Sequence, residues 1–428
     1  AASTIDGDLT LTSGATAGIT DSGTVTVGGD LAATTDAGNG VIDMDQLAVD
    51  GSIALVTEGN GAAIVVNDAA IEFAASTVRG ALTATATTGD ITDSGTLTIT
   101  GASIFTTRVG GSNIVLDSSA NAFAAAVTMK ADTGGDETFG NITFVDSAAV
   151  KLHSSAGTNG DLFIDAGTDL AVGGNLSITA TTGNITQGSE VAVGGTTTLV
   201  TSANDATITL NDADNAFTGA LTITTNDNSG TDAAVIIDGG TTALIIAAST
   251  IDGNLTLTSG ATAGITDSGT VTVGGDLAAT TDAGNGVIDM DQLAVDGSIA
   301  LVTEGNGAAI VVNDAAIEFA ASTVRGALTA TATTGDITDS GTLTITGASI
   351  FTTRVGGSNI VLDSSANAFA AAVTMKADTG GDETFGNITF VDSAAVKLHS
   401  SAGTNGDLFI DAGTDLAVGG NLSITATT

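Results

Sequence analysis

Carboxylates two positions apart are the residues of this chain best placed to do chemistry: Asp6 with Asp8, Asp43 with Asp45, and Asp212 with Asp214. Paired hard oxygen ligands suit Ca²⁺, and Asn211, Asn215 and backbone carbonyls could complete a shell around Asp212 and Asp214. A competing reading makes the same residues corner groups, placed for turn geometry and solubility. No segment matches the EF-hand loop or the Gly-Gly-x-Gly-x-Asp nonapeptide. Ca²⁺ is therefore the one cofactor left open, with Asp43, Asp45, Asp212 and Asp214 as its candidate ligands.

Catalysis finds less support. His153 and its copy His399 are the only histidines; with no Cys and no nucleophile elbow, they read as tolerated surface or corner residues. Asp43 and Asp45 could act as the paired carboxylates of a polysaccharide hydrolase. Such clefts usually hold sugars with cationic or aromatic groups, and this chain has 8 Lys plus Arg and no Trp or Tyr. No catalytic residue is assigned and no enzyme is expected. Asp36-Ala-Gly-Asn-Gly40 lacks the spacing of a nucleotide loop and reads as a turn. The acceptor-like triplets at Asn141, Asn175 and Asn184 are expected by chance in so Thr- and Ser-rich a chain.

The composition narrows the classes further. Against those 8 cations stand 48 Asp plus Glu, a net charge of -40, which repels nucleic-acid phosphates and anionic membrane surfaces. Apolar residues make up 42% of the 428, so wholesale disorder is excluded, but the only aromatics are 13 Phe. A core built from Ala, Val, Ile and Leu suits a thin repetitive stack better than a globule.

Repeats decide what the length means. Ala1 to Thr182 recurs as Ala247 to Thr428, at an offset of 246 residues, with Asp8 becoming Asn254. Residues 1–246 form a first full unit and 247–428 a second, truncated copy, expected as a window of a longer tandem array. Three diverged sub-repeats start near Gly7, Gly80 and Gly174. Ile64 to Phe73, Ile114 to Phe123 and Ile208 to Phe217 align without gaps between them.

Inside each sub-repeat, apolar residues alternate with Thr or Ser, as at Leu9 and Leu11, Val25 and Val27, or Leu97 and Ile99. Period-2 alternation bounded by Gly, Asp and Asn predicts short half-buried strands. Glycines at 7, 29, 51, 80, 101, 174 and 195 recur mostly every 21 to 29 residues, room for about three strands and their turns. The fold expected is all-β: one continuous parallel, right-handed β-solenoid of about 18 to 20 coils, stacked about 4.8 Å apart. Leu9, Leu11, Ile91, Leu97, Ile99, Ile114, Phe123, Ile208 and Phe217 should face inward, with Gly and Asn supplying positive φ at corners. A count of 0 Pro agrees, since every strand would have neighbours on both sides.

The run from Gly80 through Ala-Leu-Thr-Ala-Thr-Ala-Thr-Thr-Gly-Asp-Ile-Thr-Asp-Ser-Gly-Thr-Leu-Thr-Ile-Thr to Gly101, and the Ile-Thr-Leu-Asn-Asp-Ala-Asp-Asn-Ala-Phe-Thr-Gly run ending at Gly219, resemble the repeats of filamentous-haemagglutinin-type giant bacterial surface proteins. The resemblance implies an exported β-helix fibre, extracellular or on the bacterial cell surface. Its expected role is a structural shaft: an adhesin stalk, matrix fibre or sheath filament. Expected partners are further copies of itself, with cell-surface or matrix glycans as candidates, and neither nucleic acid nor a membrane. The alternatives are a glycan- or ice-binding module using Thr faces such as Thr10, Thr12, Thr24 and Thr26, and lastly a polysaccharide-active β-helix enzyme.

Overall fold

A computed structural model describes residues 2–14, 16–36, 38–131, 140–153, 161–164, 171–226, 233–282, 284–377, 386–394, 396–399, 407–410 and 420–427. Among these the chain is all β, with 51 strands and no helix. Alternation dictates the strands. In Leu31–Thr35, burial switches at each residue, so Leu31, Ala33 and Thr35 face inward while Ala32 and Thr34 face outward. The chain divides into two compact units, Ala1–Asp212 with Ala216–Gly219, and Ala213–Asn215 with Ala220–Thr428.

Each unit is a parallel β-solenoid in which a strand bonds to the strand one coil later. In the first, Leu9 pairs with Leu31 and Leu31 with Ile53, 22 residues apart each time. Ile53 then pairs with Phe73, and from the same strand Ile71 leads on through Ile91, Ile114, Ile142 and Leu176. Eight pairings lead from Leu9–Ser13 to Thr197–Thr201. Eight more, in the second unit, lead from Val235–Asp238 to Leu422–Ala426. Each run of eight pairings links nine stacked strands, which bears out a long solenoid of about 15 turns or more among the described residues. Coil length is uneven: the steps from Ile114 to Ile142 and on to Leu176 take 28 and 34 residues.

Stacking is what buries the core. Ile91, Leu97, Ile99, Ile114, Phe123, Ile208 and Phe217 are all buried as expected. Leu9 and Leu11 are only half-buried in the first coil, whereas their copies Leu255 and Leu257, with a coil on either side, are fully buried. Leu176 is 1% exposed between two coils, and its copy Leu422, in the last described strand, is 42% exposed. At about 1.5–3 kcal/mol per buried Leu or Ile, the neighbouring coil supplies most of the stabilisation that a single coil cannot give itself.

Corners are closed in two ways. Glycine stacks on glycine: the Gly29 N–H donates to the Gly7 carbonyl (3.2 Å) and Gly51 to Gly29 (3.1 Å), and Gly80 and Gly101 continue a second column above Gly61. A Cβ on Gly51 would lie 2.5 Å from the Gly29 carbonyl oxygen, so these landmark glycines allow close approach of backbones. Side-chain oxygens make the second closure. Asp8 Oδ1 accepts the Asp30 N–H (2.9 Å), and Asp30 Oδ1 accepts the Ser52 N–H (2.7 Å). A longer column runs Asp90, Asn113, Asn141, Asn175 to Thr196, each Oδ1 accepting the next backbone N–H at 2.7–2.8 Å. The expectation of positive φ at Asn is therefore corrected. Among the described residues, Asp205 is the only non-glycine at positive φ, and the corner Asn residues serve as acceptors for the coil above.

Phe105 sits between Phe73 and Phe123, with ring centroids 6.2 Å away and near-perpendicular planes on both sides. Replacing Phe105 with Ala should cost about 3–5 kcal/mol locally. Hydrogen exchange should show lost protection in Ser103–Thr107 and in its paired strands Leu82–Ala86 and Val127–Lys130, with the copy around Phe351 still protected.

Candidate functional site

An irregular rung of the ladder holds the candidate pair Asp43 and Asp45. In Ile42–Val49, Met44 pairs with Val65 and Leu47 with Asn67, so Asp45 and Gln46 together oppose the single residue Val66. This is a β-bulge, which bends a strand and re-aims its side chains. The second unit repeats it, Met290 pairing with Val311 and Leu293 with Asn313.

A bulge leaves backbone donors without ladder partners, and a carboxylate from the coil below takes them. Asp21 Oδ2 accepts the Gln46 N–H at 2.9 Å. In the second unit, Asp267 Oδ1 and Oδ2 accept from Asp291 (3.3 Å) and Gln292 (2.8 Å). On the far side the buried Asn67 amide replaces a backbone rung: its Oδ1 accepts the Val49 N–H, and its Nδ2 donates to the carbonyls of Val49 and Ala70. These two groups hold the bulge in shape.

The bulge opens a groove of about 230 Å³ with Leu47 and Val66 among its lining residues. Asp45 and Asp68 line it too, together with Gln46 and the threonines Thr24 and Thr87. Gln46 Nε2 lies 3.3 Å from Asp45 Oδ1 and steadies that carboxylate. Burial raises the carboxyl of Asp21 above its ordinary value, the Gln46 N–H pulls it down, and the neighbouring Asp45 charge raises it again. Burial also raises Asp267, opposed by the Gln292 and Asp291 N–H bonds, and raises Asp289, with Asp291 adding to it. Asp289 Oδ1 is buried without a hydrogen-bond partner.

Asp43 is half-buried and Asp45 exposed, both on the bulged strand. Asp212 is half-buried, its N–H directed at Gln187 Oε1 (3.3 Å), and Asp214 is exposed. Among the described residues, no group of three or more His, Asp or Glu is arranged to hold a metal ion. His153 and His399 end the strands Val150–His153 and Lys397–His399. Pair spacing alone pointed to Asp43 and Asp45. It missed Asp21, Gln46, Asp68, Thr24 and Thr87, which are brought to the same place only by coil register.

A model of repeats of unknown function (DUF5649) matches residues 60–130, 139–224, 232–303 and 306–376. The first and last of these segments are the same part of the long repeat, 246 residues apart. No curated protein and no solved structure matches the chain.

Two outcomes follow from these carboxylates. Asp21, Asp267 and Asp146 are all raised by burial from an ordinary 3.8, so the folded chain holds their protons more tightly than the unfolded chain. The stability they contribute is full below that ordinary value and is lost as pH rises through the raised folded values. Asp30 is lowered by its Ser52 hydrogen bonds, and its contribution runs the other way, lost as pH falls. Melting temperature should therefore rise as pH is lowered from neutral through the raised folded values toward the ordinary 3.8, below which the loss at Asp30 opposes it, and Asp146→Asn should flatten the rise. Circular dichroism melts across that range test both. Separately, Asp8→Asn should change stability by less than about 0.5 kcal/mol, whereas Asp21→Ala should cost about 1–3 kcal/mol by orphaning the bulge donor. Exchange protection at Gln46 reports the difference.

Proposed function

The chain belongs to the DUF5649 family of repeats, and from that premise we propose that it is the structural shaft of a secreted or cell-surface fibre. The observation that carries the proposal is where its polar side chains are used. Corner carboxylates, amides and glycines bond to the adjacent coil, and the second copy reproduces the first rung for rung, Leu82 over Ser103 matching Leu328 over Ser349. A chain that commits its polar groups to its own stacking is suited to propagating a stack. The resemblance to filamentous-haemagglutinin-type repeats supports export to the bacterial surface, as an adhesin stalk, matrix fibre or sheath filament. Further copies of the same chain are the partners this role requires.

The Thr-face alternative stands second. Thr10, Thr12 and Thr24 are exposed, but the outward column in the wall of Ala63–Asn67 reads Ile64, Thr83, Ile104, Thr128, broken by isoleucine at alternate levels.

Electron microscopy of chains carrying one, two and three full repeats tests the proposal. Each added unit should lengthen the particle by about 50 Å at unchanged width, from about ten coils at the strand-stacking rise. Particles that widen instead would overturn it.

A further inference from the structure

We propose that the groove at the bulge binds an amino sugar: a ring bearing a primary ammonium group, presented by a cationic glycan. The inference is independent of the fibre reading, and its failure would leave that reading intact.

The argument starts from how the groove is assembled. Val25 pairs with Leu47, Leu47 with Asn67, and the Thr87 N–H bonds the Asn67 carbonyl, so Thr24, Asp45 to Leu47, Val66 to Asp68, and Thr87 come from four successive coils. Four levels span about 14 Å along the stack. Asp21 and Asn67, one on each side, hold the backbone that forms it. The groove is thus a built feature of the bulge, and Asp291, Gln292, Asp314 and their neighbours repeat its residues in the second unit.

Its chemistry selects among ligands. The lining has two carboxylates and no cation, on a chain of net charge -40, which excludes anionic ligands and draws in cations. Asp45 and Asp68 are acceptors for an ammonium group. The half-exposed Val66 offers apolar contact for the C–H face of a ring, while the amide of Gln46 and the hydroxyl of Thr24 can exchange hydrogen bonds with ring hydroxyls and the Thr87 hydroxyl, which donates to the Asn67 carbonyl, can accept one. A linear polyamine would use only the carboxylates and the apolar residues. An N-acetylated sugar would lose the charge. The amino sugar uses all three kinds of group.

Calorimetric titration of the 428-residue chain at about 0.15 M NaCl, where diffuse attraction is screened, tests this. The probes are a trimer of β-1,4-linked glucosamine, its N-acetylated counterpart and spermidine. The glucosamine trimer should bind at least about tenfold more tightly than either of the others. Combining Asp45→Asn, Asp68→Asn, Asp291→Asn and Asp314→Asn should weaken it by about tenfold or more. Removing four charges elsewhere, with Asp30, Asp50, Asp276 and Asp296 changed to Asn, should leave it within about threefold. Thr24→Val with Thr270→Val, which keeps every charge, should weaken the trimer a few-fold and leave spermidine unchanged. Equal losses in the two charge variants would reduce the effect to diffuse attraction and overturn the proposal. Spermidine binding as tightly as the trimer would do the same.

Discussion

The backbone hydrogen bond from one coil to the coil above is the interaction on which the rest depends. A coil of about 22 residues, such as Leu9 to Leu31, contains strands too short and too separated to pair with one another. Its donors and acceptors are satisfied only by the next turn of the same chain. The inward Leu, Ile and Phe columns, the glycine columns and the absence of proline all follow from keeping that bond intact at each level. The contrast between Leu176, paired on both sides, and Leu422, with a described strand on one side, shows the same dependence in surface area.

Side-chain acceptors extend this logic to places where the ladder cannot reach. At corners the backbone turns and its N–H groups diverge from the rung below, so Asp and Asn side chains bridge the gap. At the bulge, Asp21 and Asn67 do it on opposite sides. Most carboxylates consequently lie at corners, and the outward faces of the five-residue strands are nearly free of charge, as Ile64, Thr83, Ile104 and Thr128 illustrate. Ion pairs contribute little to this arrangement. Arg79 and Glu58 meet at 3.2 Å, but both are about half exposed, and such pairs are worth about 0–1 kcal/mol.

Sequence alone was a good guide to the fold and a poor one to the site. Alternation at Leu97 and Ile99 is a local pattern with one structural meaning, so strand type and burial could be read directly. Glycine spacing marked the corners, and Gly18, Gly38 and Gly59 do take the positive φ expected of them, but Gly29 and Gly51 are needed for close contact, and Asn113 and Asn141 for reach across coils. Both roles involve a residue in the neighbouring coil, and the interval to it differs from place to place: 19 between Ala63 and Leu82, 34 between Ile142 and Leu176. Counting along the chain therefore cannot name the neighbour above. The same obstacle hid Asp21 from Gln46, and Thr24 and Thr87 from Asp45.

The single difference between the two copies bears on how such a chain can change over time. Asn254 Oδ1 accepts the Asp276 N–H at 2.8 Å, just as Asp8 Oδ1 accepts that of Asp30. Only one oxygen is needed at this corner, and carboxylate and amide both supply it. Fold and surface charge are therefore separately inherited at such positions: a lineage could shed or gain negative charge one corner at a time, in step with the salinity or acidity around it, while every rung stays in register.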